Sequence, residues 1–443
     1  MKYEAGINVI QKTDTPIHGW YRFVLSYPPH LVRQYIDRLG FRTRDLLCDP
    51  FCGTGTTLVE AKKLGIPSVG CDAHPFAVLV SSVKTNWTLD PNLLSSLLRG
   101  ILTGAEEKMI RHSLPPLSFY TLFVKEEGTH QRNGYRLSED EEKLLPTGFL
   151  SERPLRRLLI LRDEIVEQTE KYPQGIRDFF LLAMAHVIAN GAGNFSFGPE
   201  IYRTKAKPDY DVLEHFSSHV SLMIMEMERA QTSGQDRISA RVFFDDARQL
   251  DQIPSGLAGI ITSPPYPNEK DYTRTTRVES LLLGLLKDRK QLRFVKESLL
   301  RSNTRNVFVA DNDGDEVAEF ESIQAVCQKI ERRRIELGKT SGFEKLYHKV
   351  VAHYFGGMRR HFRALRPKLK SKAPLAYVLG DQLSFLMVPI ATAKLLGEVA
   401  EAEGFKVVSR ELWRERFGTK VRNAETKMRS IKVREEILIL EKK

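Results

Sequence analysis

"DLLCDPFCGTGTTLVEAKKLG", residues 45–65, followed by "IPSVGCDAHP" at 66–75, decides how the chain is read. A short apolar run, a turn holding Gly53 and Gly55, an amphipathic segment from about Thr56 to Lys63 closed by Gly65, and a second apolar run ending in Asp72 predict strand, tight turn, helix and strand. This is the opening βαβ unit of a doubly wound sheet. The two glycines let the backbone turn sharply and approach a ligand, and Phe51 is placed to lie against an apolar part of it. Asp49 stands at the strand end, where ligands of open α/β sheets bind.

Asp72 follows Gly55 by about 17 residues, near the position where an acidic side chain takes ribose hydroxyls, so the expected ligand contains a nucleoside. No Gly-Lys-Ser/Thr closes the turn, which excludes a P-loop. A dinucleotide site stays open, although the spacing is not G-x-G-x-x-G and Asp49 would set a carboxylate near a pyrophosphate. That repulsion favours a ligand without phosphates and with positive charge. S-adenosyl-L-methionine, with its sulfonium and ammonium groups, fits.

A second stretch, "ITSPPYPN" at 261–268, ends an apolar run on Ser263-Pro264-Pro265-Tyr266. The residue before a proline is pushed out of the α region and the prolines fix the turns that follow, so the predicted loop is rigid. Ser263 and the Pro264 carbonyl would accept hydrogen bonds from an exocyclic amino group, and Tyr266 would stack on its base. A nucleobase amino group is a poor nucleophile because its lone pair is delocalised into the ring. Orientation and close approach to the methyl donor must supply much of the catalysis.

The bulk numbers agree with a soluble enzyme acting on a polyanion. The chain has 443 residues, 42% hydrophobic and 28% charged, with a formal net charge of +11. Basic composition favours nucleic acid without proving it. Its four cysteines do not make a disulfide framework. Cys48, Cys52 and Cys71 lack the spacing of paired metal ligands and read as small buried hydrophobes. "MKYEAGINVIQKTD" has no apolar core of a signal peptide, and no run approaches the ~18 apolar residues of a membrane span. A reducing cytosol is the expected compartment.

The remaining chain divides by pattern. Residues 1–88 form the N-terminal cofactor-binding part, where "SYPPHLV" joins an aromatic-rich stretch to an amphipathic helix. Residues 89–235 form a mainly helical insertion with helical periodicity at 152–172, 176–191 and 212–230. The catalytic part follows at 236–284, a basic and irregular insertion at 285–345, and a return to the sheet at 346–443 with strands at 374–381, 405–412 and 434–442. Thr275 is a predicted helix start that sends Val278, Leu281 and Leu285 to the sheet and leaves Arg274 and Arg277 near the substrate mouth.

"DPFCGTGTT" closely resembles the cofactor loop of the amino-methyltransferases of DNA, which methylate cytosine N4 or adenine N6, and "TSPPY" resembles their catalytic loop. The implied fold is a Rossmann-like class I S-adenosylmethionine-dependent sheet. The resemblance implies cofactor contacts from Asp49, Phe51, Cys52, Gly53, Gly55 and Thr56. It adds Tyr27 and Pro28 of "SYPPHLV", Asp72 of "GCDAHP", and Asp246 with Ala247 of "FFDDARQL", Asp246 being preferred to Asp245. It implies catalytic roles for Ser263, Pro264, Pro265 and Tyr266. In this family Ser-Pro-Pro-Tyr more often accompanies cytosine N4, and Asp-Pro-Pro-Tyr adenine N6.

The substrate implied is double-stranded DNA with the target base flipped out. Arg274, Arg277, Arg301, Arg305 and Arg332 to Arg334 are candidate phosphate contacts. A cognate restriction endonuclease is the implied biological partner, and the oligomeric state is left open. The cofactor loop precedes the catalytic loop, the reverse of the commonest permutation, so position does not assign target recognition, and the insertions at 89–235 and 285–345 are both candidates for it. Three alternatives stand beside cytosine N4: adenine N6 methylation, guanine N2 methylation of tRNA or other RNA, and a non-catalytic DNA-binding subunit of the same fold.

Overall fold

The computed structural model describes residues 11–23, 26–115, 117, 134–197, 201–268, 270–422 and 428–443. Part of the helical insertion, residues 118–133, lies outside them. A seven-stranded sheet organises the chain: β1 (Leu47–Asp49), β2 (Ser68–Asp72), β5 (Ala240–Phe244), β6 (Gly259–Thr262), β7 (Pro374–Gly380), β8 (Phe405–Arg422) and β9 (Met428–Lys442). Their spatial order is β5-β2-β1-β6-β7-β9-β8. The first five are parallel, and β9 runs antiparallel to both β7 and β8. Strands β1 and β6 are buried throughout, as parallel strands covered on both faces must be.

The chain leaves β1 towards β2 on one side and is joined by β6 on the other, so a crevice opens between the C-terminal ends of β1 and β6. Between β1 and β2, α2 (Thr56–Lys63) begins behind Gly55, whose φ of +82° is left-handed backbone, and stops at Gly65 with φ +74°. Before β1, α1 (Pro29–Arg38) has proline at its first position and buries Leu31, Val32, Tyr35 and Ile36.

One face of the sheet carries α3 (Pro75–Thr85) and the insertion helices α4 (Pro91–Arg111), α5 (Glu152–Thr169), α6 (Gln174–Val187) and α7 (Val212–Thr232). Their apolar stripes join Trp20, Tyr21, Phe76 and Trp87 in one continuous core. A small ribbon of β3 (Phe195–Phe197) and β4 (Ile201–Arg203) lies between α6 and α7 in the chain.

Helix α8 (Arg277–Leu282) sends Val278, Leu281 and Leu282 into this helical core, with Leu285 packed against it. The expectation that they would pack on the sheet is corrected: the insertion helices cover that side and take the apolar face of α8.

The stretch at 285–345 is more ordered than its irregular pattern suggested. It forms α9 (Arg289–Ser298) and α10 (Glu321–Glu336). From α10, Ile323, Cys327 and Ile330 join Val350, Val351 and Tyr354 of α11 (Tyr347–Leu365) on the opposite side of the sheet, with α12 (Thr392–Ala402) beside them.

Beyond the pair Gly380–Glu435 the ladder of β7 and β9 ends, while β8 and β9 continue as a hairpin past the C-terminal end of β7. That is the edge on which the Ser-Pro-Pro-Tyr loop stands.

Candidate active site

The crevice deepens into a cavity of about 370 Å³ at this edge. It brings together Tyr27, Phe51, Cys52, Gly53, Thr56, Asp72, Asp246, Ala247 and all four residues of the Ser263–Tyr266 loop. Asp49, Gly55 and Pro28 do not line it. Arg274, Arg277, Arg301 and Arg305 lie outside its lining as well.

Asp49 ties neighbouring segments together. Its Oδ2 accepts from the Tyr27 hydroxyl (2.9 Å), and its Oδ1 accepts from Thr262 Oγ1 (2.6 Å) and the Phe51 N–H (3.2 Å). Burial raises its carboxyl, and these donors oppose the shift. Tyr27 also meets the Thr57 hydroxyl. The same contacts therefore join β1, β6 and the segment before α1.

Gly55 acts through backbone shape, since a Cβ there would lie 3.0 Å from Ser81 Cβ in α3. Pro28 is the buried residue that leads into α1.

Asp72 differs from Asp49. Its Oδ2 accepts from the Gly53 N–H (3.0 Å) and its Oδ1 from the His74 N–H (2.8 Å), both backbone donors, and it faces the cavity. Burial pushes its carboxyl up to about 6. Each oxygen has two acceptor positions, so the carboxylate retains capacity for hydroxyl donors. Vicinal ribose hydroxyls would supply them, and on that ground the residues present fit a nucleoside cofactor.

Asp246 lines the cavity and is held by Arg248 (2.6 Å), whose other arm reaches Asp313 (2.7 Å). Asp245 instead accepts from the Gln252 N–H (2.8 Å). Phe51 packs on the His361 ring, with centroids 5.0 Å apart. His361 Nδ1 lies 2.7 Å from the Ala247 carbonyl, so that nitrogen carries the proton, and Nε2 accepts from the Tyr377 hydroxyl at 2.7 Å. Burial lowers His361 to about 4 and keeps it neutral.

At the other end, Ser263 Oγ donates to the Val378 carbonyl (3.2 Å), which fixes its hydroxyl and leaves oxygen lone pairs as acceptors. Tyr266 rests on Gly380: a Cβ there would come 2.8 Å from Tyr266 Cε2 and 3.2 Å from Arg416 Nη2. Burial raises the phenol well above its ordinary range, so it stays protonated.

Sequence reasoning missed the remaining wall. Trp413, Arg414 and Arg416 come from β8 and Glu435 from β9. A register shift between Leu412 and Arg414 places an extra residue, Trp413, in β8, and such a bulge re-aims side chains. Asn303 and Asn306 come from the loop after α9, where Asn303 caps a short turn and donates to the Lys270 carbonyl (3.0 Å). The alternation "WRERF" was the available signal, but a strand pattern alone does not tell which sheet edge it overhangs.

Arg301 is corrected from a phosphate contact. It is 3% exposed, pairs with Asp311 (2.6 Å) and donates to the carbonyls of Lys296 and Glu297. Its donors are spent inside the loop. Arg277 is half-buried and donates to Thr273 (3.3 Å), and Arg274 is half-buried beside it. Arg305 is exposed, with its guanidinium 6.0 Å from the Phe343 ring centroid. On α10, Arg334 pairs with Glu331 and Arg333 with Glu336, while Arg332 is exposed.

A glycine turn, an acidic strand end and a Ser-Pro-Pro-Tyr loop on one cavity at the switch point of a mostly parallel sheet define a Rossmann-like methyltransferase. Residues 9–82 match the family of N6 and N4 type described as DNA methylase. The type II methyltransferase M.AvaI of Nostoc sp. is 30% identical over 88% of this chain and 80% of its own length. M.BsoBI of Geobacillus stearothermophilus, also a type II methyltransferase, is 26% identical over 93% of this chain and 86% of its own. The chain belongs to the type II DNA methyltransferases, within the DNA amino-methyltransferase family. Membership implies S-adenosylmethionine as methyl donor.

Proposed function

We propose that this chain methylates the N4 amino group of a cytosine flipped out of duplex DNA, at a specific sequence, as the modification partner of a restriction endonuclease. The observation that carries the reading is the shared cavity: Asp72 and Gly53 line one part of it, and Ser263, Pro264 and Tyr266 another. S-adenosylmethionine would supply an electrophilic methyl group. Asp72 would hold its ribose hydroxyls, Phe51 and Ala247 its adenine surroundings, and Tyr27 the wall towards its methionine end.

Ser263 Oγ and the Pro264 carbonyl would accept hydrogen bonds from the target amino group. They would turn its lone pair towards the methyl carbon and stabilise the positive charge that develops on the amino group as the N–C bond forms and the methyl–sulfur bond breaks, after which the surplus N–H proton would leave to water. Tyr266 would hold the base by stacking. A base still in the duplex has its amino group paired, so access to this cavity requires flipping. Serine rather than aspartate at the head of the loop favours cytosine, on the family pattern.

Incubation with unmethylated genomic DNA, digestion to nucleosides and mass spectrometry tests this directly. N4-methylcytosine is the expected product. N6-methyladenine would overturn the choice of base, and methylation of RNA alone would overturn the substrate.

A further inference from the structure

The antiparallel end of the sheet places two arginines and one carboxylate beside the catalytic loop. Glu435 is 4% exposed and lines the cavity. Its Oε2 takes the Nε of Arg414, and its Oε1 lies 2.7 Å from the Nε of Arg416. Arg414 is directly opposite Glu435 in the ladder, and Arg416, two residues further along β8, faces the same side. One buried carboxylate therefore holds two guanidinium groups by their inner nitrogens.

Arg416 is the one set against the catalytic tyrosine. Its Nη2 and Tyr266 Cε2 both crowd the position a Cβ of residue 380 would occupy, so glycine at that strand end leaves room for the two side chains on the same spot. Among the described residues, the partner of Arg416 is Glu435, an ion pair of 2.7 Å at Nε without hydrogen-bond geometry. A guanidinium ion-paired on its inner side and lining a cavity offers a ligand there a planar donor fork.

The fork has a defined chemical complement. Along its Watson–Crick edge cytosine shows the amino group, then N3, then O2: one donor followed by two acceptors. Adenine shows the amino group, then N1, then a C2–H. Ser263 and the Pro264 carbonyl accept, so they suit the amino end of either base. Only cytosine offers two adjacent acceptors beyond it. With adenine one charged donor would face a carbon and lose its hydrogen bond out of water, the arrangement that gives large discrimination.

We propose that Arg416, held by Glu435, is the residue that selects cytosine by donating to N3 and O2 of the flipped base. This rests on the cytosine reading of the same site. Tyr266 and the loop fix where the amino group lies, and Arg416 determines which base can present one there.

The test uses the full-length protein and, once the modified position has been mapped in genomic DNA, two synthetic duplexes with cytosine or adenine at the target, each mispaired to ease flipping. The wild type is expected to favour cytosine in kcat/KM by about 10²-fold. Arg416→Met is expected to lower kcat/KM on cytosine by about tenfold or more and leave adenine nearly unchanged. The preference then collapses, while calorimetry gives unchanged S-adenosylmethionine affinity. Glu435→Gln, which keeps the shape and loosens the arginine, should shift the ratio the same way to a smaller extent.

Equal losses on both bases, or an unaltered ratio in both variants, would overturn the role of Arg416. A wild type that makes only N6-methyladenine would overturn the cytosine reading itself, and the nucleoside digest records that separately.

Discussion

The two ends of the cavity are built in opposite ways. At the cofactor end, Gly53 and Asp72 lie within one βαβ unit, and their hydrogen bond spans a short piece of chain. At the base end, Tyr266 follows β6, Gly380 ends β7, and Arg416 and Glu435 come from β8 and β9, so four strands meet around one ring. The first end is local and repeats a general solution for holding a nucleoside. The second depends on how far a hairpin overhangs its neighbours, and it is where discrimination between bases would be set.

The sharpest break between the ends comes from Tyr266→Ala. Stacking on a base is worth about 1–3 kcal/mol, so methyl transfer should fall by about 5- to 150-fold in a radiolabelled-methyl assay. S-adenosylmethionine affinity by calorimetry should stay within about twofold, because Asp72, Gly53 and Phe51 are untouched. Full activity would remove stacking from the scheme.

Asp72→Asn should give the reverse pattern. Cofactor affinity is expected to fall by about 10–100-fold, the worth of hydrogen bonds to a charged acceptor, with a smaller change in turnover at saturating cofactor. The pH dependence follows from its raised pKa. Asp72 is ionised above about 6 and protonated below it, so wild-type affinity should decline as pH falls through 6. Its folded pKa lies above the ordinary value of 3.8, so folding binds this proton more tightly, and its ionisation costs the fold stability as pH rises from about 4 to 6.

Gly380→Ala sharpens the base end alone. The new methyl group must displace the edge of Tyr266 at 2.8 Å and the flexible tip of Arg416 at 3.2 Å. Misplacement of this size is expected to lower kcat by about tenfold, with cofactor affinity unchanged. An unaltered kcat would mean that the loop relaxes without consequence.

What was legible in the sequence follows the same division. Asp72 ends a short strand, and Phe51, Gly53 and the Ser263–Tyr266 loop directly follow two short buried ones, where turn residues have few alternatives, and the cavity takes in all of them. Asp49 stands at the expected strand end, but its partners within the protein were not legible. Periodicity shows where a strand stops, but it could not show that Tyr27, Thr262 and the Phe51 N–H would claim that carboxylate. Arg301 was misread because a basic residue in a polar stretch looks exposed until Asp311 folds back on it. Arg416 and Glu435 were out of reach, since their meeting needs the β8 and β9 register and the bulge at Trp413.

The helical side offers a pH test remote from both ends. The His186 and His219 rings stack with centroids 3.5 Å apart, and His219 Nε2 lies 2.9 Å from the Trp20 carbonyl. Burial, with His219 beside it, lowers His186 to about 4, below its ordinary 6.5. The folded state therefore binds fewer protons between these values, and this contribution to stability is lost as pH falls from about 6.5 towards 4. His186→Phe should remove that loss. Relative to wild type, the variant should gain about 1–2 kcal/mol between pH 7 and 4.5 in urea unfolding, after discounting partial exposure. Comparison with the variant cancels the opposing titration of Asp72.

The smallest expected effect separates two arginines of one loop. Arg305 is exposed, whereas Arg301 is buried and paired. If Arg305 contacts a phosphate, Arg305→Ala removes one neutralised charge, so the slope of log affinity against log salt should become shallower by about 0.9. Affinity should weaken only a few-fold and equally on all sequences, because a phosphate contact positions DNA without reading it. Arg301→Ala should instead leave the Asp311 carboxylate buried without its cation and destabilise the loop by about 3–5 kcal/mol. That loop also bears Asn303 and Asn306 on the cavity wall, so turnover should fall while the salt slope of the protein that remains folded is retained. Gel-shift titrations at several salt concentrations, set beside urea unfolding of both variants, distinguish a surface contact from a brace. A shallower slope in Arg301→Ala rather than Arg305→Ala would reverse the assignment.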